Sequence, residues 1–183
     1  LLIAPFDAEL FGHWWFEGPQ FLSHLFIKSK EEGIKFITLK EALQITPKIQ
    51  LCNPSPSSWG QGGFHNYWLN KSNAWIVHEW SKAGREMVSI CSKGLIDESN
   101  IKIISQAGRE LLLCQSSDWS FILKAGTTTE LARERINLHL KRFWMLINSI
   151  KNEHIIEPKI LEEIQKEDCI FPLISPLDWK KKI

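Results

Sequence analysis

Charge of one sign is what this sequence most plainly lacks. Its 183 residues carry 22 Lys and Arg against 21 Asp and Glu, a formal net charge of +1. No strong field is available to recruit nucleic acid or an anionic membrane, so neither is assigned as a partner. The lysine run Lys180, Lys181 and Lys182 reads as a solvated tail. No apolar run reaches membrane-spanning length, and no signal peptide is visible. Cysteine is sparse: Cys52, Cys91, Cys114 and Cys169 form no C-x-x-C pair, which argues against a zinc site. In a chain of this length they read as reduced thiols of a cytoplasmic protein. Internal repeats and low-complexity tracts are absent as well. Tyrosine is nearly absent, with one residue against nine tryptophans. Core packing alone rarely calls for so many indoles, because each buried one needs a partner for its N–H. Binding sites for sugars use tryptophan for stacking, so the excess favours a saccharide ligand.

What is present is globular: 44% hydrophobic and 23% charged residues, enough for one or two small domains with a buried core. The most informative run is PFDAELFGHWWFEGP. Leu1 to Phe6 reads as a strand that ends by delivering Asp7, with Glu9, His13, Trp14 and Trp15 close behind. A carboxyl group beside flat indole faces suits sugar chemistry. The acid protonates a glycosidic oxygen, and the rings stack on the apolar C–H faces of a pyranose. Two other readings stay open at this point. Asp-x-Glu at a strand end also serves as a solvated loop or helix cap. Asp7, Glu9 and His13 are metal-ligand types too, but no second histidine completes a set, and no metal or cofactor is assigned. A lone strand ahead of a helical chain has no sheet to join, so the sequence reads as a fragment whose sheet partners lie upstream.

Beyond this motif the chain reads as mainly helical. Gly18-Pro19 opens a helix with Phe21, Leu22, Leu25 and Phe26 on one stripe and Gly33 as its stop. Lys35 to Leu39 predicts a short extended strand, and Thr38-x-x-Glu41 a capping box for a helix ending near Gln44. The stretch from Cys52 to Asn70 is a long loop rich in Pro, Ser, Gly and Asn that carries Trp59, His65, Tyr67 and Trp68. Loops of this length in compact domains are usually functional. Helical spacing then returns. Ile76, Trp80, Ala83, Met87 and Ile90 form one stripe, with Gly94 as stop. Ile101, Ile104, Gly108, Leu111 and Leu112 form a second after a cap at Asp97. Ile136, Leu140, Phe143, Trp144, Ile147 and Ile150 form a third after the capping box Thr127-x-x-Glu130. Pro158 fits the first turn of a last helix. Trp75, Trp80 and Trp144 are predicted to be core.

These residues carry a resemblance. PFDAELFGHWWFEGP resembles the fourth conserved region of glycoside hydrolase family 57. SSWGQGGFHNYWLN, Ser57 to Asn70, is similar to the fifth region of that family's branching branch. AGRELLLCQSSDWSFILKAGTTTELARERINLHLKRF, Ala107 to Phe143, resembles the helical domain that closes those enzymes. The resemblance implies a fold that is mainly α: the last strand and helix of an incomplete β/α barrel (1–50), a tryptophan-bearing active-site loop (51–71) and a C-terminal helical bundle (72–183). It implies 1,4-alpha-glucan branching by a retaining mechanism, with 4-alpha-glucanotransferase or alpha-amylase activity as alternatives inside the family. A non-catalytic carbohydrate-binding helical domain is the alternative outside it. The implied substrates are alpha-1,4-glucans such as glycogen, amylose and maltooligosaccharides. The implied polypeptide partner is the missing N-terminal barrel portion.

The resemblance also assigns residues. Asp7 takes the place of the general acid/base, while Glu9 and Trp14 line the sugar site. Trp59 and Trp68 border the acceptor side. Asp118, with Ser117 and Trp119, belongs to a segment reaching back toward the cleft. The family's glutamate nucleophile has no counterpart in this chain, so the fragment alone is expected to be inactive. A retaining reaction needs two carboxyl groups about 5 Å apart, and only one is present here.

Overall fold

The computed structural model describes residues 1–151 and 155–180 of the chain, so Lys181 and Lys182 of the lysine run lie outside the described residues. Seven α-helices form among the described residues and no β-strand does. Mainly α is therefore the fold class, but the two predicted strands are not formed. Residues 1–7 and 34–37 lack regular structure, and Leu1, Leu2, Ile3 and Phe6 are exposed. A strand is stabilised by the ladder it shares with a neighbour, and no second strand exists among the described residues to receive either segment.

The chain divides into two compact units, Leu1–Ser55 and Pro56–Ile183. In the first, a π-helical turn over Leu10–Trp14 leads into α1, Gly18–Glu31, which has its proline in the first turn as predicted. Gly33, the predicted stop, follows in left-handed geometry with φ 70°. The α2 helix, Leu39–Ile45, opens on the predicted capping box: Thr38 Oγ1 accepts from Glu41 N at 3.2 Å, and Thr38 N donates to Glu41 Oε2 at 2.8 Å. The bonds that Glu41 Oε2 accepts from Thr38 N and, at 3.0 Å, from Thr38 Oγ1 hold the Glu41 carboxyl below its ordinary range. The unit buries little. Only Gly18, Ser29 and Ala42 are buried, and Phe21, Leu25 and Phe26 of the α1 stripe remain exposed.

The second unit holds the core. It comprises α3 (Ala74–Ser92), α4 (Ile101–Cys114), α5 (Ser117–Ala125), α6 (Thr129–Lys151) and α7 (Pro158–Glu167). The α4 and α6 helices form its centre, with α3 and α5 packed alongside. The predicted stripes are what they bury. Ile76, Ala83, Met87 and Ile90 from α3 meet Ile104 and Leu111 from α4 and Ile136, Phe143 and Ile147 from α6. Burying one such aliphatic or aromatic side chain contributes about 1.5–3 kcal/mol, so this cluster carries the stability of the unit. Ile101 and Leu112, predicted on the α4 face, lie at its exposed edge.

Two predicted caps differ in detail. Asp97 holds the turn before α4 rather than the helix itself, with Oδ1 accepting from Ser99 N at 2.9 Å and Asn100 N at 3.0 Å. The α6 helix opens one residue late, with Thr128, not Thr127, accepting the first bond from Ala132 N at 3.3 Å. Trp75, Trp80 and Trp144 pack against the core but remain half-buried. Lys82 lies over the Trp144 ring and Arg133 over Trp75, each a cation–π contact that keeps one indole face near solvent.

Candidate functional site

In the first unit the acidic–aromatic motif folds onto itself. Ala8 and Glu9 begin a helical turn, which widens into the π-turn when Trp15 N donates to Leu10 O at 2.9 Å. The wider turn brings Glu9, His13 and Trp14 together. Glu9 Oε1 accepts from Trp14 Nε1 at 2.8 Å and lies 3.1 Å from His13 Nε2. Glu9 is thus a clamp that fixes the orientation of the Trp14 indole. That indole is 71% exposed, so its face is open to a flat ligand.

Behind the motif runs a train of rings. Phe6 meets Phe11, Phe11 meets Trp15, and Trp15 meets Phe21 of α1, with centroids 4.8–5.7 Å apart. These edge and tilted contacts fasten the motif to the helix after it. Gly18 sits where the two approach most closely, with a Cβ there lying 3.1 Å from Phe11. Asp7 stands just before the turn. Its backbone oxygen accepts from Leu10 N at 3.1 Å, while its side chain is exposed and makes no hydrogen bond or ion pair among the described residues. It does not cap the turn that follows, so its oxygens remain open to a ligand.

In the second unit the tryptophan loop is ordered by its own hydrogen bonds. Ser58 N donates to Gly63 O at 2.7 Å, and Ser58 Oγ accepts from His65 N at 2.7 Å. Gly60 turns the chain at φ 98°, and a Cβ there would press on Tyr67 at 3.1 Å. The loop is tied down by Asn73, which is fully buried. Its amide donates to Tyr67 O at 2.9 Å and to Ser120 O of α5 at 3.1 Å, while its Oδ1 accepts from Asn70 N at 2.8 Å.

The result is an aromatic platform. Tyr67 stacks on Phe121 of α5 at 4.8 Å and 17°. Trp68 and Trp59 gather round the same ring, with Trp59 edge-on to Trp68 at 5.9 Å. Trp59 is 66% exposed while Tyr67, Trp68 and Phe121 are half-buried, so the platform offers the Trp59 ring most openly to solvent. Asp118 lies exposed in the first turn of α5, three residues before Phe121 and therefore on the same helix face. Trp119 turns the other way and donates from Nε1 to Leu113 O at 2.8 Å. It positions α5 and has no free polar edge for a ligand.

Phe121 and Asn73 are the members that reading the sequence missed. The i+3 spacing of Phe121 from Asp118 was the available signal. Nothing local marks Asn73, whose bond to Ser120 spans 47 positions.

A second polar constellation was not foreseen either. Glu110 of α4, fully enclosed, accepts from Gln106 Nε2 at 2.8 Å through Oε1, and its Oε2 lies 2.8 Å from Nδ1 of buried His139. Asp168, just after α7, approaches the same histidine at 3.7 Å and accepts from Arg142 Nη1 at 2.6 Å. Glu110, His139 and Asp168 place three potential ligand atoms within 4.8 Å of one another. Their oxygens, however, are already taken up by Gln106, His139 and the Arg142 guanidinium, so the donor set suits a closed ion network better than a cation.

Comparisons with known proteins bear on these surfaces. Residues 79–179 match the family described as 1,4-alpha-glucan branching enzyme, C-terminal. A 1,4-alpha-glucan branching enzyme of Thermococcus kodakarensis is 33% identical over 177 residues, covering 93% of this chain and 26% of that protein. Among solved structures, the GH57-type branching enzyme of the hyperthermophilic archaeon Pyrococcus horikoshii superposes with a TM-score of 0.86 at 32% identity, over 98% of this chain and 35% of the other. A GH57 branching enzyme of Thermococcus kodakaraensis, crystallised in complex with glucose and additives, gives 0.87 at 30% identity, over 100% of this chain and 34% of the other. The chain therefore spans about a third or less of the length of these relatives.

Proposed function

The chain belongs to the family of the C-terminal part of GH57 1,4-alpha-glucan branching enzymes, and from that membership we propose that it serves a longer enzyme that cuts alpha-1,4-glucans and rejoins them through 1,6-links. In this reading it supplies one of two catalytic carboxyl groups and the acceptor side of the cleft. The remaining portion of the enzyme supplies the glutamate nucleophile and the rest of the barrel. Residues 1–50 complete the barrel, 51–71 form the acceptor loop, and 72–183 form the domain that carries that loop.

The observation that best supports a glucan ligand is the platform of Trp59, Tyr67, Trp68 and Phe121. It is tied down by a buried asparagine and leaves the Trp59 ring exposed. Rings held this way stack on successive glucose units at small entropic cost, because they are ordered before the ligand arrives. Asp118 beside them accepts hydrogen bonds from sugar hydroxyls. Glu9, occupied by His13 and Trp14, acts by orienting the indole on which a sugar would lie.

The chemistry is assigned to Asp7, whose side chain is exposed and makes no hydrogen bond or ion pair among the described residues. Asp7 donates a proton to the leaving glycosidic oxygen as the nucleophile attacks the anomeric carbon. It then takes a proton from the 6-hydroxyl of an acceptor glucan as that oxygen displaces the enzyme. Branching rather than hydrolysis requires that the acceptor glucan be held and water kept out, which is the part assigned to the loop. The four unpaired thiols, two of them buried, support a cytoplasmic place of action.

The deciding experiment uses the full-length enzyme. Asp7→Asn keeps the shape of the side chain and removes its proton chemistry, so transfer falls to background while glucan binding persists. Debranching of the wild-type product distinguishes 1,6-links from simple chain transfer. Turnover by Asp7→Asn at the wild-type rate would remove Asp7 from the mechanism.

A further inference from the structure

The tryptophan loop passes through the left-handed backbone region at four positions. Three are glycines, Gly60, Gly62 and Gly63, at φ 98°, 77° and 70°. The fourth is His65, at φ 64°. A Cβ in this region crowds the backbone, although histidine, asparagine and aspartate tolerate it better than other side chains do. The loop uses glycine at the other three positions, so a ring retained at 65 calls for a reason outside the backbone. Disfavoured backbone states persist where the surrounding structure imposes them, and they gather at ligand sites.

The surroundings do impose this one. His65 N donates to Ser58 Oγ at 2.7 Å, and that hydroxyl donates in turn to Trp59 O at 3.0 Å. The His65 carbonyl accepts from Trp68 N at 2.9 Å and from Leu69 N at 2.8 Å. The backbone of His65 is thus the knot that ties both tryptophan ends of the loop. Its side chain takes no part in the tie. Trp59, Tyr67 and Trp68 all gather on Phe121, and His65 does not. The imidazole is exposed and makes no hydrogen bond, ion pair or ring contact among the described residues.

We propose that His65 is a contact residue for the acceptor glucan, its imidazole hydrogen-bonding the hydroxyls of a glucan chain laid against Trp59. Stacking on an indole holds a sugar without fixing which hydroxyls face the loop. A polar ring joined to that indole through Ser58 supplies the direction. Sugar hydroxyls both donate and accept, so they satisfy an imidazole nitrogen of either kind. The proposal rests on the branching-enzyme reading for the identity of the ligand.

Two substitutions test it without straining the loop. His65→Gly removes the ring and suits φ 64°, while His65→Asn keeps a donor and an acceptor on a residue that tolerates the left-handed region. Neither should lower the Tm of the chain by more than about 2 °C. A larger fall for His65→Gly would make the imidazole part of the fold and overturn the proposal. The chain is then titrated with maltoheptaose, read on tryptophan fluorescence. The Kd should rise about fivefold or more for His65→Gly and stay within about twofold of wild type for His65→Asn, the span of one hydrogen bond. A Kd unchanged in His65→Gly overturns the proposal. So does His65→Asn binding as weakly as His65→Gly, because a lost hydrogen bond would not then be the cause.

The full-length enzyme separates the site from the reaction. The ratio of 1,6-link formation to hydrolysis should fall in His65→Gly and be restored in His65→Asn. A ratio that His65→Gly leaves unchanged in an active enzyme overturns the acceptor role. A wild-type enzyme that forms no 1,6-links counts against the functional reading, and the weaker binding of His65→Gly then still supports a glucan contact at His65.

Discussion

Trp179 lies across Gly108 so closely that a methyl group at 108 would approach its Cη2 to 2.7 Å and its Cζ3 to 2.9 Å. The contact closes the C-terminal segment over α4. The 3₁₀ turn Pro176–Trp179, capped by Ser175, sets the indole there, and Arg109 Nε reinforces the strap by donating to Ile170 O at 2.9 Å.

Gly108→Ala is therefore expected to push the ring outward and destabilise the second unit by about 1–3 kcal/mol, the usual range for an overpacked site. Chemical denaturation read on tryptophan fluorescence measures the loss. Combined with Trp179→Ala, the alanine at 108 should cost almost nothing further, because the clash is gone. An additive double mutant would mean that the two residues do not press on each other.

The buried ion network locks the same segment from the other side. Glu110 is fully enclosed, and its carboxyl group is held by His139 and Gln106. His139→Ala leaves that carboxyl group facing a void with one donor. Removing one partner of a buried pair costs about 3–5 kcal/mol. His139→Ala should therefore unfold at markedly lower urea than Arg142→Ala, whose partners Glu167 and Asp168 are nearer to water. The reverse order would show that the strap depends on the guanidinium rather than on the enclosed pair.

The elements that the sequence made legible are those whose cause is local. The α1, α3, α4 and α6 helices follow from stripes at helical spacing, and α2 from the Thr38–Glu41 box. Lys35 to Leu39 misled because β-branched residues favour a pleated neighbour only when one exists. The aromatic loop was legible from its composition, and so were Trp59 and Trp68. Its anchor was not, because Asn73 reaches Ser120 across 47 positions. The same holds for the ion network, where Glu110 meets His139 across 29 positions and Gln106 meets the Asp168 carbonyl across 62. Such pairs are set by how helices cross, which no local pattern encodes.

The thiols give a prediction in pH. Burial pushes the Cys114 thiol up to about 12, with the charge of nearby Glu110 adding to the effect, and burial alone pushes Cys91 up to about 11. At neutral pH both are protonated and enclosed, so only Cys52 and Cys169 should react with Ellman's reagent in the native chain. Four should react in denaturant. The sign of the linkage is that of raised groups. Their contribution to stability is complete below the ordinary thiol range near 9 and is lost as pH climbs through about 11 and 12. Three or four fast thiols at pH 7 would place Cys91 or Cys114 outside the core.

The last prediction concerns the aromatic platform. Truncating Trp59 or Trp68 to alanine in the full-length enzyme should lower the ratio of branching to hydrolysis, since an acceptor that is not held leaves the glucosyl-enzyme to water. Asn73→Ala tests the same idea from beneath. It touches no ligand, but it frees the carbonyls of Tyr67 and Ser120, each now bonded at 2.9 and 3.1 Å, and unties the loop from α5. The cost to folding is about 1–3 kcal/mol for the unpaired buried groups. If the platform works by being rigid, Asn73→Ala should reduce the ratio as far as Trp68→Ala does, at a temperature where both variants are folded. A ratio unchanged by all three substitutions would make the rings a packing device that fastens the loop to the bundle.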